Sequence, residues 1–93
     1  MFDLTAFQRD LLYVIAGKEE PHGLALKDDL ETYYDTEINH GRLYPNLDDL
    51  VEAGYVEKGE IDRRTNSYTI TQAGRDLIET REEWEESVLD DSV

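Results

Sequence analysis

The apolar positions of this chain change rhythm four times, and each change marks an element. Phe7, Leu11, Leu12, Val14 and Ile15 recur at helical spacing. Thr5 and Gln8 stand ahead of them at the capping-box interval, and Gly17 supplies a stop, so the spacing predicts a first helix over about Thr5 to Ala16. Lys18-Glu19-Glu20-Pro21 reads as an exposed turn. A second helix begins at His22 or Gly23, carries Leu24, Leu26, Leu30, Tyr33 and Tyr34, and closes at Asp35-Thr36. Ile38 stands alone among polar neighbours, which suits a short bridging strand.

The stretch that the others serve runs from Asn39 to Val56, NHGRLYPNLDDLVEAGYV. Leu43, Leu47, Leu50 and Val51 form an apolar stripe, Asn39 is a good N-cap, and Gly54 ends the helix. Pro45 removes a backbone hydrogen bond, so either the helix bends there or regular helix begins near Tyr44. Tyr55 to Ile61 then alternates as a strand does. Ser67 to Thr71 alternates again, with Tyr68 and Ile70 on one face, and Asp62-Arg63-Arg64-Thr65-Asn66 makes the tip between them. Thr71 caps a last helix from Gln72 to about Leu89, in which Leu77, Ile78, Trp84 and Val88 follow a near-heptad spacing. Three helices, a hairpin and a long helix make a mainly α chain with a small β-hairpin, the winged helix-turn-helix order. The expected organisation is one domain, with residues 1–71 as the winged helix and 72–93 as a dimerisation helix.

Composition narrows the options. Ninety-three residues allow one modest core, which makes association plausible, and the lack of cysteine rules out disulfides and thiolate metal sites. No apolar run reaches membrane-span length, and the N-terminus lacks a signal-peptide layout, so the expected compartment is the cytoplasm. Charge is the anomaly: 23 acidic residues face nine basic ones, a net −14, which is the wrong sign for an ordinary nucleic-acid binder. Only three of the nine are lysines, and the acids are spread through every element. With 39% apolar residues in clear periodicity, that pattern fits a packed protein with an acidic surface adapted to high salt.

The third helix packs by its middle and end while its first turns offer Asn39, His40, Arg42, Tyr44 and Asn46, the layout of a helix that reads a DNA groove. Arg42 is the residue expected to grip guanine, the alternative being a surface arginine paired with Glu37 or Asn46. Tyr44 either touches phosphate through its hydroxyl or is partly core. Arg63 and Arg64 form the one adjacent pair of basic residues, placed where a wing tip meets phosphate, and Lys58, Thr65 and Asn66 are expected to join them. Trp84, with too little core left to bury it, is expected at a homodimer interface with Phe2, Phe7, Leu77, Ile78, Arg81 and Val88. The alternative is packing onto helix one of its own chain. His22 and His40 lack ligand spacing, the paired acids are solvated faces, and no nucleophile, base and orienter can be assembled. The reading is therefore of a non-enzyme without metal or cofactor.

Two segments also resemble a known family. Leu43-Tyr44-Pro45 followed by Leu47, Leu50 and Glu52-Ala53-Gly54-Tyr55-Val56, and then Tyr68-Thr69-Ile70-Thr71-Gln72-Ala73-Gly74, are similar to the signatures of PadR-like winged-helix transcriptional regulators. The resemblance covers about residues 4 to 80. It implies a homodimeric DNA-binding repressor or regulator, with helix three in the major groove, the wing against the backbone or minor groove, and the last helix in the dimer interface. The chain departs from that family in its acidity, and the larger effector-binding domain present in some relatives is expected to be missing after the last helix. The expected function is a sequence-specific regulator of double-stranded DNA on a pseudo-palindromic operator, retaining salt cations between its acids and the phosphates. The alternative is a winged-helix adaptor that binds protein and has lost DNA.

Overall fold

The computed structural model describes residues 3–19 and 21–91. Its elements are α1 (Ala6–Ala16), α2 (Gly23–Tyr34), α3 (His40–Glu52), β1 (Val56–Asp62), β2 (Thr65–Ile70) and α4 (Gln72–Asp91). The expected order of elements is the observed one.

Each helix starts where a side chain takes over an orphan backbone donor. The Thr5 hydroxyl accepts from the Gln8 N–H and the Gln8 side chain accepts from the Thr5 N–H, a complete capping box. Asn39 Oδ1 accepts from the Arg42 N–H at 2.9 Å, and Thr71 Oγ1 accepts from the Gly74 N–H at 3.1 Å. His22 caps α2 through Nδ1, which accepts the Ala25 N–H, so this nitrogen carries no proton in the capped state. Helix α3 runs unbroken from His40, which excludes a start near Tyr44. Pro45 fits because Gly41, whose carbonyl loses its partner, lies with it on the exposed face where water can bond that oxygen.

The core is assembled from every element before α4. Phe7, Leu11, Leu12 and Ile15 meet Leu26 and Leu30, Ile38, the α3 stripe of Leu43, Leu47 and Leu50, and Val56, Tyr68 and Ile70 of the hairpin. Burying a leucine of this kind contributes about 1.5–3 kcal/mol, so a dozen such side chains give the fold its cohesion. Helix α4 adds only Leu77 and Ile78 to the margin of that core. Gly74 lets α4 start close in: a Cβ there would lie 2.7 Å from Ile70 Cγ1 and against the Tyr55 carbonyl oxygen. Gly54, at φ +86°, occupies the left-handed conformation that ends α3 and turns the chain into β1.

Of the apolar residues carried by α2, Leu24 and Tyr33 are 56% and 73% exposed, while Gly23, Leu26 and Leu30 turn fully inward. Several expectations are corrected. Ile38 forms no strand; it is a core residue whose N–H donates to Glu31 Oε2 at 2.8 Å. The short bridge forms instead between His22 and Ser67, beside a bond from the Tyr68 N–H to the Pro21 carbonyl, and it ties the wing to the start of α2. The hairpin is tighter than expected. Asp62, Thr65 and Asn66 belong to strands, a register shift between Glu60 and Asp62 absorbs one residue, and only Arg63 and Arg64 form the turn. Phe7, expected at a subunit contact, is 6% exposed within the chain's own core, while Phe2 lies outside the described residues. Packing onto α1 does not bury Trp84: it is 54% exposed, with the Arg81 guanidinium 4.4 Å from its ring centroid.

Candidate nucleic-acid interface

Helix α3 is amphipathic in three sectors, and its neighbours decide what each can do. Leu43, Leu47 and Leu50 face the core. The sector carrying His40 and Tyr44 turns toward α2 and the wing. Their rings lie 5.6 Å apart, and the Tyr44 ring covers Gly23 so closely that a Cβ on that glycine would sit 2.9 Å from ring carbons. The sector carrying Arg42, Asn46 and Asp49 turns toward α1: the Arg42 guanidinium lies 4.0 Å from the centre of the Phe7 ring, and Gln8 Nε2 donates to Asn46 Oδ1 and Asp49 Oδ2.

Tyr44 is thus partly packed, as one of the two expectations had it, and also reaches the wing. It lines a groove of about 440 Å³ with His22, Leu24, Ile61 and three wing residues expected at DNA, Arg64, Thr65 and Asn66. The turn itself is held by Asp62, whose Oδ1 accepts the Arg64 N–H at 2.8 Å; that bond draws the Asp62 carboxyl below its ordinary value. With the backbone pinned, the Arg63 and Arg64 side chains stay exposed at the tip. Lys58 pairs across the hairpin with Tyr68, so it lies on the same sheet face, and it is exposed. The Tyr68 phenol is pushed above its ordinary value by burial first and by Asp48 second.

The expected α3 residues are not equivalent. Asn39 spends its Oδ1 on the cap, and Asn46 is occupied on both sides, accepting from Gln8 and donating from Nδ2 to the Arg42 carbonyl at 2.7 Å. Arg42 bonds neither Glu37 nor the Asn46 side chain through its guanidinium. The ion pairs of the described residues, Lys18–Asp29, Lys27–Glu31 and Arg81–Glu85, involve none of Arg42, Lys58, Arg63 and Arg64. Leaving these cations unpaired among so many carboxylates keeps them available to phosphate and base acceptors. Sequence reasoning missed Phe7 and Gln8 as neighbours of α3, and Gly23 and Leu24 as walls of the wing groove. Gln8 carried one signal, its capping-box position, which accounts for its local bonds only.

Along α4, Leu77 and Ile78 are half-buried against the core, whereas Trp84 and Val88 stand exposed. A second groove of about 450 Å³ lies among α1, α2 and α4, lined by Arg9, Tyr13, Tyr33, Arg81 and Glu85 among others. No helix of the described residues is long and apolar enough to cross a membrane, and no group of three or more of their His, Asp and Glu side chains converges as a metal site.

A three-helix body, an α3 whose first turn lies on the surface, and a two-stranded wing beside it make a winged helix-turn-helix, a fold class that includes DNA-binding regulators of transcription. Within that class the chain belongs to the transcriptional regulator PadR-like family, whose model matches residues 11–80. Among solved structures, the complex of hsRosR-S1 is 56% identical, with a TM-score of 0.88 over 92% of this chain and 76% of that one. RosR of H. salinarum grown from NaBr is also 56% identical, with a TM-score of 0.86 over 91% of this chain and 76% of that one. FabT of Streptococcus pneumoniae in complex with DNA is 19% identical, with a TM-score of 0.75 over 96% of this chain and 59% of that one, a likeness of fold alone. No curated protein matches the chain.

Proposed function

We propose that this chain is a cytoplasmic, homodimeric repressor that binds a pseudo-palindromic operator at high salt, with α3 in the major groove and the wing on the flanking backbone. The observation that carries the reading is one juxtaposition. Tyr44 of α3 and the wing meet along a single groove, and the four cations of α3 and the wing, Arg42, Lys58, Arg63 and Arg64, enter none of the ion pairs of the described residues. Arg42 is the base-contacting residue, its fork suited to a guanine edge. Arg63, Arg64 and Lys58 face phosphates, with Thr65, Asn66, His40 and Tyr44 lending neutral hydrogen bonds. Cations held between surface carboxylates and phosphates offset the repulsion that a net −14 imposes. The half-exposed Trp84 and Val88 of α4 support a second copy as the partner, since a lone chain leaves them in water.

The test is selection of duplexes from random-sequence DNA by the whole chain in molar KCl, followed by binding titrations. A recovered motif with two-fold symmetry, and loss of sequence preference in Arg42→Ala, are the expected results. Failure to enrich any sequence at any salt concentration would overturn the reading in favour of a protein-binding adaptor.

A further inference from the structure

Arg42 is held at both ends by the opening turn of α1. At the guanidinium end, the Phe7 ring lies 4.0 Å below the charge and is itself stacked with Tyr34, centroids 6.1 Å apart and planes 20° from parallel. The Tyr34 hydroxyl donates to Asp10 Oδ2, which fastens that second ring to α1. At the backbone end, the Arg42 carbonyl accepts from Asn46 Nδ2 at 2.7 Å, and Asn46 Oδ1 accepts from Gln8 Nε2 at 3.0 Å. Gln8 is the one buried polar residue of the described core and is fixed in turn by its capping box with Thr5.

We propose that Phe7 and Gln8 are positioning residues for DNA reading: together they set the direction in which Arg42 leaves α3 before DNA arrives. The inference rests on the assignment of Arg42 as the base-contacting residue. The physical logic is specific to an acidic protein. A carboxylate partner would neutralise Arg42 and occupy its donors, whereas an aromatic face restrains the guanidinium through its flat side and leaves the in-plane N–H groups free for an acceptor pair. A side chain restrained beforehand loses less freedom on binding, and the gain falls only on a site that matches its direction. Gln8 supplies the complementary restraint, because its bonds to Asn46 and Asp49 fix how α3 is rotated against α1.

The experiment measures, in molar KCl, the ratio of Kd for a scrambled duplex to Kd for the duplex selected by the wild-type chain. It also records the NMR position of the Arg42 Nε–H in the free protein. Phe7→Leu keeps the core apolar and removes the ring: the ratio should fall about three- to five-fold, and the Arg42 signal should lose its ring-current shift. Phe7→Tyr should restore both, and Gln8→Met should lower the ratio while moving the Arg42 signal. Thermal unfolding identifies any variant that fails to fold; should Phe7→Leu be one, Gln8→Met decides, and a wild-type ratio in it overturns the proposal. A wild-type ratio in folded Phe7→Leu, alongside a defective Arg42→Ala, overturns this proposal alone. A wild-type ratio in Arg42→Ala overturns the base-contact assignment, and the proposal falls with it.

Discussion

The sharpest prediction concerns salt. Arg42, Lys58, Arg63 and Arg64 give four cations per protomer at the proposed interface, eight in a homodimer. Were each to displace counterions from phosphate in the ordinary way, log affinity would fall against log salt with a slope of about −7, roughly a 10⁴-fold loss for a four-fold rise in salt. The same two elements, however, carry exposed carboxylates at Asp48, Asp49, Glu52, Glu57, Glu60 and Asp62, more acids than cations. Where such a carboxylate approaches a phosphate, a cation must be kept or taken up between them, and that contribution has the opposite sign. Added salt also shortens the range of repulsion, to about 3 Å at 1 M. The expected slope over the molar range is therefore near zero or positive. Fluorescence anisotropy of a labelled selected duplex, titrated with the protein across a series of KCl concentrations, measures it. A slope near −7 would refute the reasoning, because it would mean that the acids have no part in the interface.

Three further outcomes follow from the packing and the charge states. Trp84→Ala should weaken the dimer by roughly 30-fold if this half-exposed ring is an interface anchor, as sedimentation equilibrium would report; an unchanged association constant places the contact elsewhere. Gly74→Ala should destabilise the fold by about 1–3 kcal/mol through collision with Ile70 and the Tyr55 backbone, and Gly54→Ala by about 1–2 kcal/mol through its positive φ alone, both read from urea midpoints. The Tyr34 phenol, pushed up to about 12 from the ordinary 10.0 by burial first and by its bond to Asp10 second, is a proton-binding group held more tightly in the folded chain. Its contribution is fully present below pH 10.0 and is lost as pH rises toward about 12. Urea midpoints should fall across that window, and Tyr34→Phe should flatten the fall.

Local regularities of the chain were legible because short-range chemistry produces them. Thr5 and Gln8 form their capping box, Asn39 and Thr71 cap their helices, and Gly54 takes the left-handed turn. The leucine stripe of α3 is buried as its spacing demands. What was not legible has a common cause. Leu24 and Tyr33 stand on an amphipathic helix, and the hairpin and α1 leave them exposed, which no spacing within α2 could foretell. Ile38, alone among polar neighbours, suited a short bridging strand, but its partners are a distant core and the Glu31 carboxylate. Asp62, Thr65 and Asn66 looked like loop, and cross-strand pairing with a register shift drew them into the strands.

What the sequence by itself determined, then, is the identity and order of the helices and hairpin, the buried stripe of α3, the excess of acid and the placement of its scarce arginines. All of these depend on neighbours a few residues apart or on composition. Only the tertiary structure decided which way each polar residue of α3 turns. It set Asn46 against Gln8, Arg42 over Phe7 and Tyr44 against Gly23, contacts between residues 21 to 38 positions apart in the chain. Those directions come from how α1, α2 and the wing pack around a shared core, and packing is a property of the assembled fold that no local pattern encodes.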